Sequence, residues 1–153
     1  MFLTIIEKSI EIDAAADKVW PMVTWDRIPE WSDMFKGVEW TSAEKNKVGS
    51  TLHVSSEVAD VKNDFNAEIT EFADSGEGTR AWKTTGGRLT AAGAIYLKPN
   101  GNKTMVMMVE EYKLPYGPIG TMLDRIRVRK AFENSFMNSC MRLKEITETA
   151  VEI

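Results

Sequence analysis

Ile10-Glu11-Ile12-Asp13-Ala14-Ala15-Ala16-Asp17-Lys18-Val19-Trp20 is the stretch on which the fold turns. It closes a strand and opens a helix. From Thr4 to Ile12, Ile6, Ile10 and Ile12 fall on one parity and Glu7, Ser9 and Glu11 on the other, the alternation of a half-buried strand. Asp13 then stands where a helix N-cap is expected, with acidic Asp17 in the first turn. Pro21 should bend or shorten that helix by removing a backbone bond. A second short helix is expected around Ile28–Met34, with Pro29 in its first turn.

Outward from this stretch the middle of the chain reads as strands. Six more are expected: Gly37–Ser42, Thr51–Val58, Phe65–Phe72, Thr79–Thr85, Leu89–Lys98 and Lys103–Leu114. Short turns rich in Gly, Asn and Asp join them, including Pro99-Asn100-Gly101-Asn102, which argues for an antiparallel meander. The last element reads as one long helix from Ile119 to Thr147. At ~100° per residue, Met122, Arg125, Arg129, Phe132, Phe136, Cys140 and Leu143 form one stripe. Strands in the middle and a helix at the end make an α+β protein.

The composition sets outer bounds. The chain has 153 residues, 43% hydrophobic and 27% charged, an ordinary globular balance that fits one domain over 1–153. There are 19 Lys and Arg against 23 Asp and Glu, a net charge of −4, with a pI near 5.1. That argues against nucleic acid as a partner. One cysteine, Cys140, and one histidine, His53, rule out an intrachain disulfide and any multi-histidine or cysteine-based metal site. The apolar runs are too short for stable membrane insertion, which needs ~20 residues. No basic flank followed by an apolar run opens the sequence. A cytoplasmic protein is therefore expected.

The order of these elements resembles the START/Bet v 1-like (SRPBCC) superfamily, in its polyketide cyclase/dehydrase and lipid-transport branch. Three segments carry the resemblance: Ile10 to Trp20, Ile28-Pro29-Glu30-Trp31, and Leu114-Pro115-Tyr116-Gly117-Pro118-Ile119-Gly120 with the helix that runs on through Arg142-Leu143-Lys144. Pro21 departs from the usual pattern. The resemblance implies a helix-grip fold, in which a seven-stranded antiparallel sheet wraps around a long C-terminal helix, with two short helices between the first and second strands. It also implies an apolar cavity between sheet and helix, a small hydrophobic ligand of lipid or polyketide-like type, and no cofactor.

Alternation assigns the inward side chains. Leu52 and Val54 point in, leaving His53 and Glu57 outside; Phe65, Ala67 and Ile69 point in; Arg80, Trp82 and Thr84 share a face. Leu89, Ala91, Gly93, Ile95 and Leu97 point in, leaving Tyr96 outside. In the family pattern Val106 and Met108 face the interior, which carries Glu110 and Tyr112 inward and sends Met105, Met107 and Val109 outward. His53 is the residue that titrates near neutrality, but its parity turns it away from the interior.

The chemistry-bearing residues of inward parity are charged. Lys8 and Glu110 form either a structural ion pair or a catalytic pair, with Glu110 as acid/base tuned by Lys8 and by burial. Arg80 and Arg129 either hold a ligand or reach out to solvent along their stems. If Lys8, Arg80 and Arg129 all reach the cavity, three cations against one acid favour a ligand bearing a carboxylate. Trp31, Trp40, Trp82, Met108, Tyr112, Phe132 and Phe136 supply apolar and aromatic surface, as core or as ligand wall. Cys140 reads as inert packing. Three functions remain open: a binder of a small hydrophobic molecule, a cyclase or dehydratase using Glu110, and a protein-interaction module that presents Met105, Met107 and Val109.

Overall fold

The computed structural model describes residues 4–58, 61–73, 78–86, 90–113 and 127–151. The segment Leu114–Gly120, the start of the expected long helix with Met122 and Arg125, and Leu89 lie outside the described residues. The strands are β1 (Thr4–Ile12), β2 (Phe35–Trp40), β3 (Thr51–Val58), a two-residue β4 (Val61–Lys62), β5 (Phe65–Ala73), β6 (Gly78–Thr84), β7 (Thr90–Asn100) and β8 (Lys103–Lys113). The helices are α1 (Ala16–Val19) and α2 (Arg129–Val151). Every neighbouring pair is antiparallel, in the order β1-β8-β7-β6-β5-β3-β2, with β4 paired to β3 alone.

β1 and β2, consecutive in the chain, are thus the two edges of the sheet. The segment between them has to cross from one edge to the other. It does so through α1, a 3₁₀ turn at Trp20–Val23 and another at Ile28–Glu30. Pro21 sits at the start of the first 3₁₀ turn and Pro29 in the second, so both prolines occupy positions where their missing N–H is harmless. The second short helix is accordingly three residues long, not the seven expected. Asp13 does not cap α1: Ala15 holds the N-cap, and the Asp13 main-chain N–H donates to Glu148 Oε1 at 2.8 Å.

α2 lies on the concave face and packs most closely on β1. Its buried residues are Phe136, Ser139, Cys140, Leu143 and Thr147, spaced as one helical stripe. Three polar ties hold it: Ser139 Oγ accepts the Asp33 N–H, Lys144 Nζ donates to the Glu11 carbonyl, and Glu148 takes both Lys144 and the Asp13 N–H. A curled antiparallel sheet gripping a C-terminal helix, with short helices after the first strand, is the helix-grip fold.

The core is aromatic. Trp25, Phe35, Phe65 and Trp82 meet with ring centroids 5.4–5.9 Å apart. A bulge between Ile69 and Glu71 lets both Ile69 and Phe72 face inward, opposite Trp82 and Arg80. Two glycines are required by close approach. A Cβ on Gly78 would fall 1.1 Å from the Trp20 ring, and one on Gly93 would fall 2.6 Å from Trp82 Nε1.

Because the Trp82 ring is wedged between other rings, it has nowhere to retreat. Gly93→Ala is expected to lose about 1–3 kcal/mol of stability. Gly37→Ala, whose Cβ would meet nothing closer than 3.8 Å, is expected to lose much less. Denaturant midpoints of the two variants check this, and equal values would mean that Trp82 is free to move.

Candidate functional site

The site is built on one row across the sheet. Register places Ile69, Trp82, Gly93, Glu110 and Ile6 side by side on β5, β6, β7, β8 and β1. All share the concave face. With no side chain at Gly93, the Trp82 indole lies over that strand, toward Glu110 on the next. A pocket opens above this row. Its walls are Trp25, Trp31, Phe35 and Trp82, with Met108 from β8 and Phe136 from α2. Ile28, Ser32, Met34, Arg80, Ile95, Glu110 and Ser139 also line it. The space left free is about 30 Å³, on the order of one or two water molecules.

Of the polar groups in the lining, most are committed. Ser32 Oγ accepts the N–H groups of Met34 and Phe35; Ser139 Oγ accepts from Asp33 and donates to the Ser135 carbonyl. Arg80 is buried at 3% exposure. Its guanidinium is clamped between the rings of Trp20 at 4.4 Å and Phe72 at 3.7 Å, and Nη1 donates to the carbonyls of Ala73 and Thr79. It does not run out to solvent along its stem, because two rings and two carbonyls replace the water it would find there.

Glu110 differs. Its residue is half-buried, but no hydrogen bond or ion pair to its carboxyl is found among the described residues. Desolvation alone pushes its pKa from 4.5 up to about 8. Lys8 is half-buried on the same face, opposite Met108, and forms no ion pair with Glu110. The register explains this: the two residues are diagonal, and Glu110 directly faces Ile6. The structural ion pair, one of the two readings of these residues, is therefore absent, and Lys8 is not in the pocket lining. Met108 instead meets Cys140, with sulfurs 3.7 Å apart, and burial pushes the Cys140 thiol up to about 11.

The other expected residues divide. Trp31, Arg80, Trp82, Met108, Glu110 and Phe136 come together in the lining. Tyr112 and Phe132 stack at 4.7 Å beside it, with Phe136 6.4 Å from Phe132. Trp40 lies elsewhere: its indole N–H donates to Asp26 Oδ1 at 2.7 Å, tying β2 to the preceding loop. Arg129 is turned outward, its side chain 55% exposed and paired with Glu133. It sits in the first turn of α2, where a guanidinium gains more from water and an acid one turn away than from an apolar interior. Trp25, Phe35 and Ile28 were not expected; they come from turns and a bulged strand, where no periodicity marks the buried face.

His53 faces outward, as its parity indicates. A hydrogen-bond contact with Asn66 Oδ1 at 3.0 Å, then Asp64 at 3.6 Å, hold its pKa above the usual value. Met105, Met107 and Val109 point outward but are half-buried, so the apolar surface they offer is partly covered. Among the described residues no group of three or more His, Cys, Asp or Glu is arranged to hold a metal, and no helix is long and apolar enough to cross a membrane.

Comparison with known proteins bears on the fold and the family. The structure superposes on TTHA0849 from Thermus thermophilus with a TM-score of 0.80 and 16% identity, covering 96% of this chain and 99% of that one. A START superfamily protein from Mycobacterium smegmatis gives 0.76 at 15% identity, covering 95% and 98%. Norcoclaurine synthase from Thalictrum flavum, in complex with dopamine and hydroxybenzaldehyde, gives 0.66 at 13% identity, covering 95% and 86%. No curated protein sequence matches. At these identities the structural likeness speaks for the fold alone. The sequence itself matches the family described as polyketide cyclase/dehydrase and lipid transport over residues 4–147. The chain belongs to that family.

Proposed function

We propose that the protein binds a small hydrophobic ligand between the sheet and α2, and that it favours flat, ringed, polyketide-like molecules over extended lipids. The observation that carries this reading is the make-up of the pocket, which five aromatic side chains line together with a carboxyl that has no partner among the described residues. The family supports it, being one of cyclases, dehydrases and lipid transporters. So does the norcoclaurine synthase complex, whose two ligands each carry one aromatic ring. Because the free space is small, a ligand must displace side chains. A ring that replaces a ring contact does so with the least loss of dispersion energy.

A second reading rests on Glu110. A carboxyl whose pKa burial pushes up to about 8 can serve as a general acid near neutrality. That supports a cyclase or dehydratase that protonates a bound ligand. Lys8 lies outside the lining, so in this reading Glu110 acts without it.

Two outcomes are expected. Intrinsic tryptophan fluorescence should change on titration with one- to three-ring compounds, because Trp25, Trp31 and Trp82 form the wall. Ile95→Trp, which fills the pocket from β7, should weaken that binding roughly tenfold or more. No response from any ring compound or lipid by fluorescence and native mass spectrometry would end the binding reading.

The second outcome concerns pH. An acid whose folded pKa is raised stabilises the fold fully below its unfolded value, here 4.5, and the contribution is lost as pH rises through about 8. Glu110→Gln should therefore match the wild type near pH 4 and be the more stable of the two at pH 9. Parallel stability profiles in denaturant would place the carboxyl in contact with bulk water.

A further inference from the structure

We propose that the ligand held in this pocket carries a protonated amine, which pairs with the Glu110 carboxylate. The inference rests on the ligand-binding reading and names the ligand's polar group. The pocket has one acid and one cation in its lining, Glu110 and Arg80. Arg80 is spoken for: its guanidinium packs against the rings of Trp20 and Phe72, and Nη1 already serves two carbonyls. The two serines are bonded to main-chain groups. Glu110 is the acid of the lining, and its carboxyl has no hydrogen-bond or ion-pair partner among the described residues. In its row it has Ile6 on one side and the bare strand of Gly93 on the other, so neither neighbour supplies one.

The other titratable groups facing it are Lys8 from β1, Arg80 from β6 and Cys140 from α2. None pairs with it. The expected preference for a carboxylate needed Lys8, Arg80 and Arg129 to point their charges into the cavity. Arg129 is outside, Lys8 is not in the lining, and Arg80 is committed. A ligand carboxylate would have to share the single proton of Glu110 and leave a net negative charge between the two groups. An ammonium provides the missing opposite charge. The surrounding indole and phenyl rings of Trp25, Phe35 and Trp82 add the favourable face that aromatic rings offer to a cation.

Proton balance gives the proposal a signature. In solution near pH 7 a primary amine is already protonated, and the buried Glu110 carboxyl still holds its proton. Forming the ion pair releases that proton from the carboxyl to water, while the ammonium keeps its own. Amine binding should thus release close to one proton per site, and binding of a neutral isostere should release none.

The test uses the full chain and three probes of one shape: 2-phenylethylamine, 2-phenylethanol and 3-phenylpropionate. Titration calorimetry is run in two buffers of different ionisation enthalpy, on wild type and on Glu110→Gln, with circular dichroism to establish that both are folded. The amine is expected to bind roughly tenfold or more tighter than the alcohol in the wild type. Proton release should accompany the amine alone. Glu110→Gln should erase both the preference and the release. Should the Gln variant misfold, the proton count on the wild type decides by itself. Equal binding of amine and alcohol, or tighter binding of the acid, overturns this inference and leaves the ligand-binding reading standing. Binding of none of the three, nor of a broader panel of ring compounds and lipids, overturns both.

Discussion

An indole laid over a glycine organises the interior. Trp82 reaches across Gly93 because β7 presents no side chain at that register, and a methyl group there would lie within 2.6 Å of the ring nitrogen. From that position the indole stacks on Phe65 and meets Trp25 and Phe35 edge-on. Those contacts bring the loop after α1 and the start of β2 down onto the sheet. The pocket is what remains between this ring cluster, β8 and α2. Glu110, next along the row, is consequently held on the inner face of a strand that cannot turn it outward without reversing Met108 and Tyr112 as well.

The charges show how an enclosed site sorts its cations. Arg80 enters the interior because two rings take its faces and two carbonyls take its edge. A planar, weakly hydrated guanidinium suits such a slot better than an ammonium would. Arg129 finds no such slot and leaves for Glu133 and water. Lys8 stays on the inner face but two places away from the acid it might have neutralised. The result is an acid kept by its surroundings, not by a partner, which accounts for its retained proton.

Much of this was legible in the chain, for a physical reason. Strands that bury one face write that face into every second residue, so the inward sets of β3, β5, β6 and β7 follow from alternation, and with them Trp82; β8 is apolar on both faces, and there the family pattern chose the parity that turns Met108 and Glu110 inward. Alternation fails where the backbone departs from it. The bulge that turns Phe72 inward under Arg80 leaves no mark that parity can detect. Trp25 and Phe35 lie in or beside turns, so half of the ring cluster was invisible as a site. The helical stripe placed Phe136, Cys140 and Leu143 correctly, but the same angular rule put Arg129 among them. A stripe states which face a residue is on. It does not state whether anything lies opposite that face.

The fastenings of α2 are unevenly distributed along its length. Ser139, Lys144 and Glu148, all from its middle and later turns, hold it to the main chain of Asp33, Glu11 and Asp13 by hydrogen bonds. Its earlier turns are held by ring contacts, Phe132 on Tyr112 and Phe136 beside it. Hydrogen bonds demand a fixed direction, whereas stacked rings slide and can be exchanged for other rings at little cost. Swinging the early turns away from the sheet about the anchored end would break no hydrogen bond between α2 and the rest of the described residues. A guest that supplied its own ring would restore much of the contact that such a movement removes. The helix is built like a door: fixed along one side, and latched on the other by contacts that the visitor itself can replace.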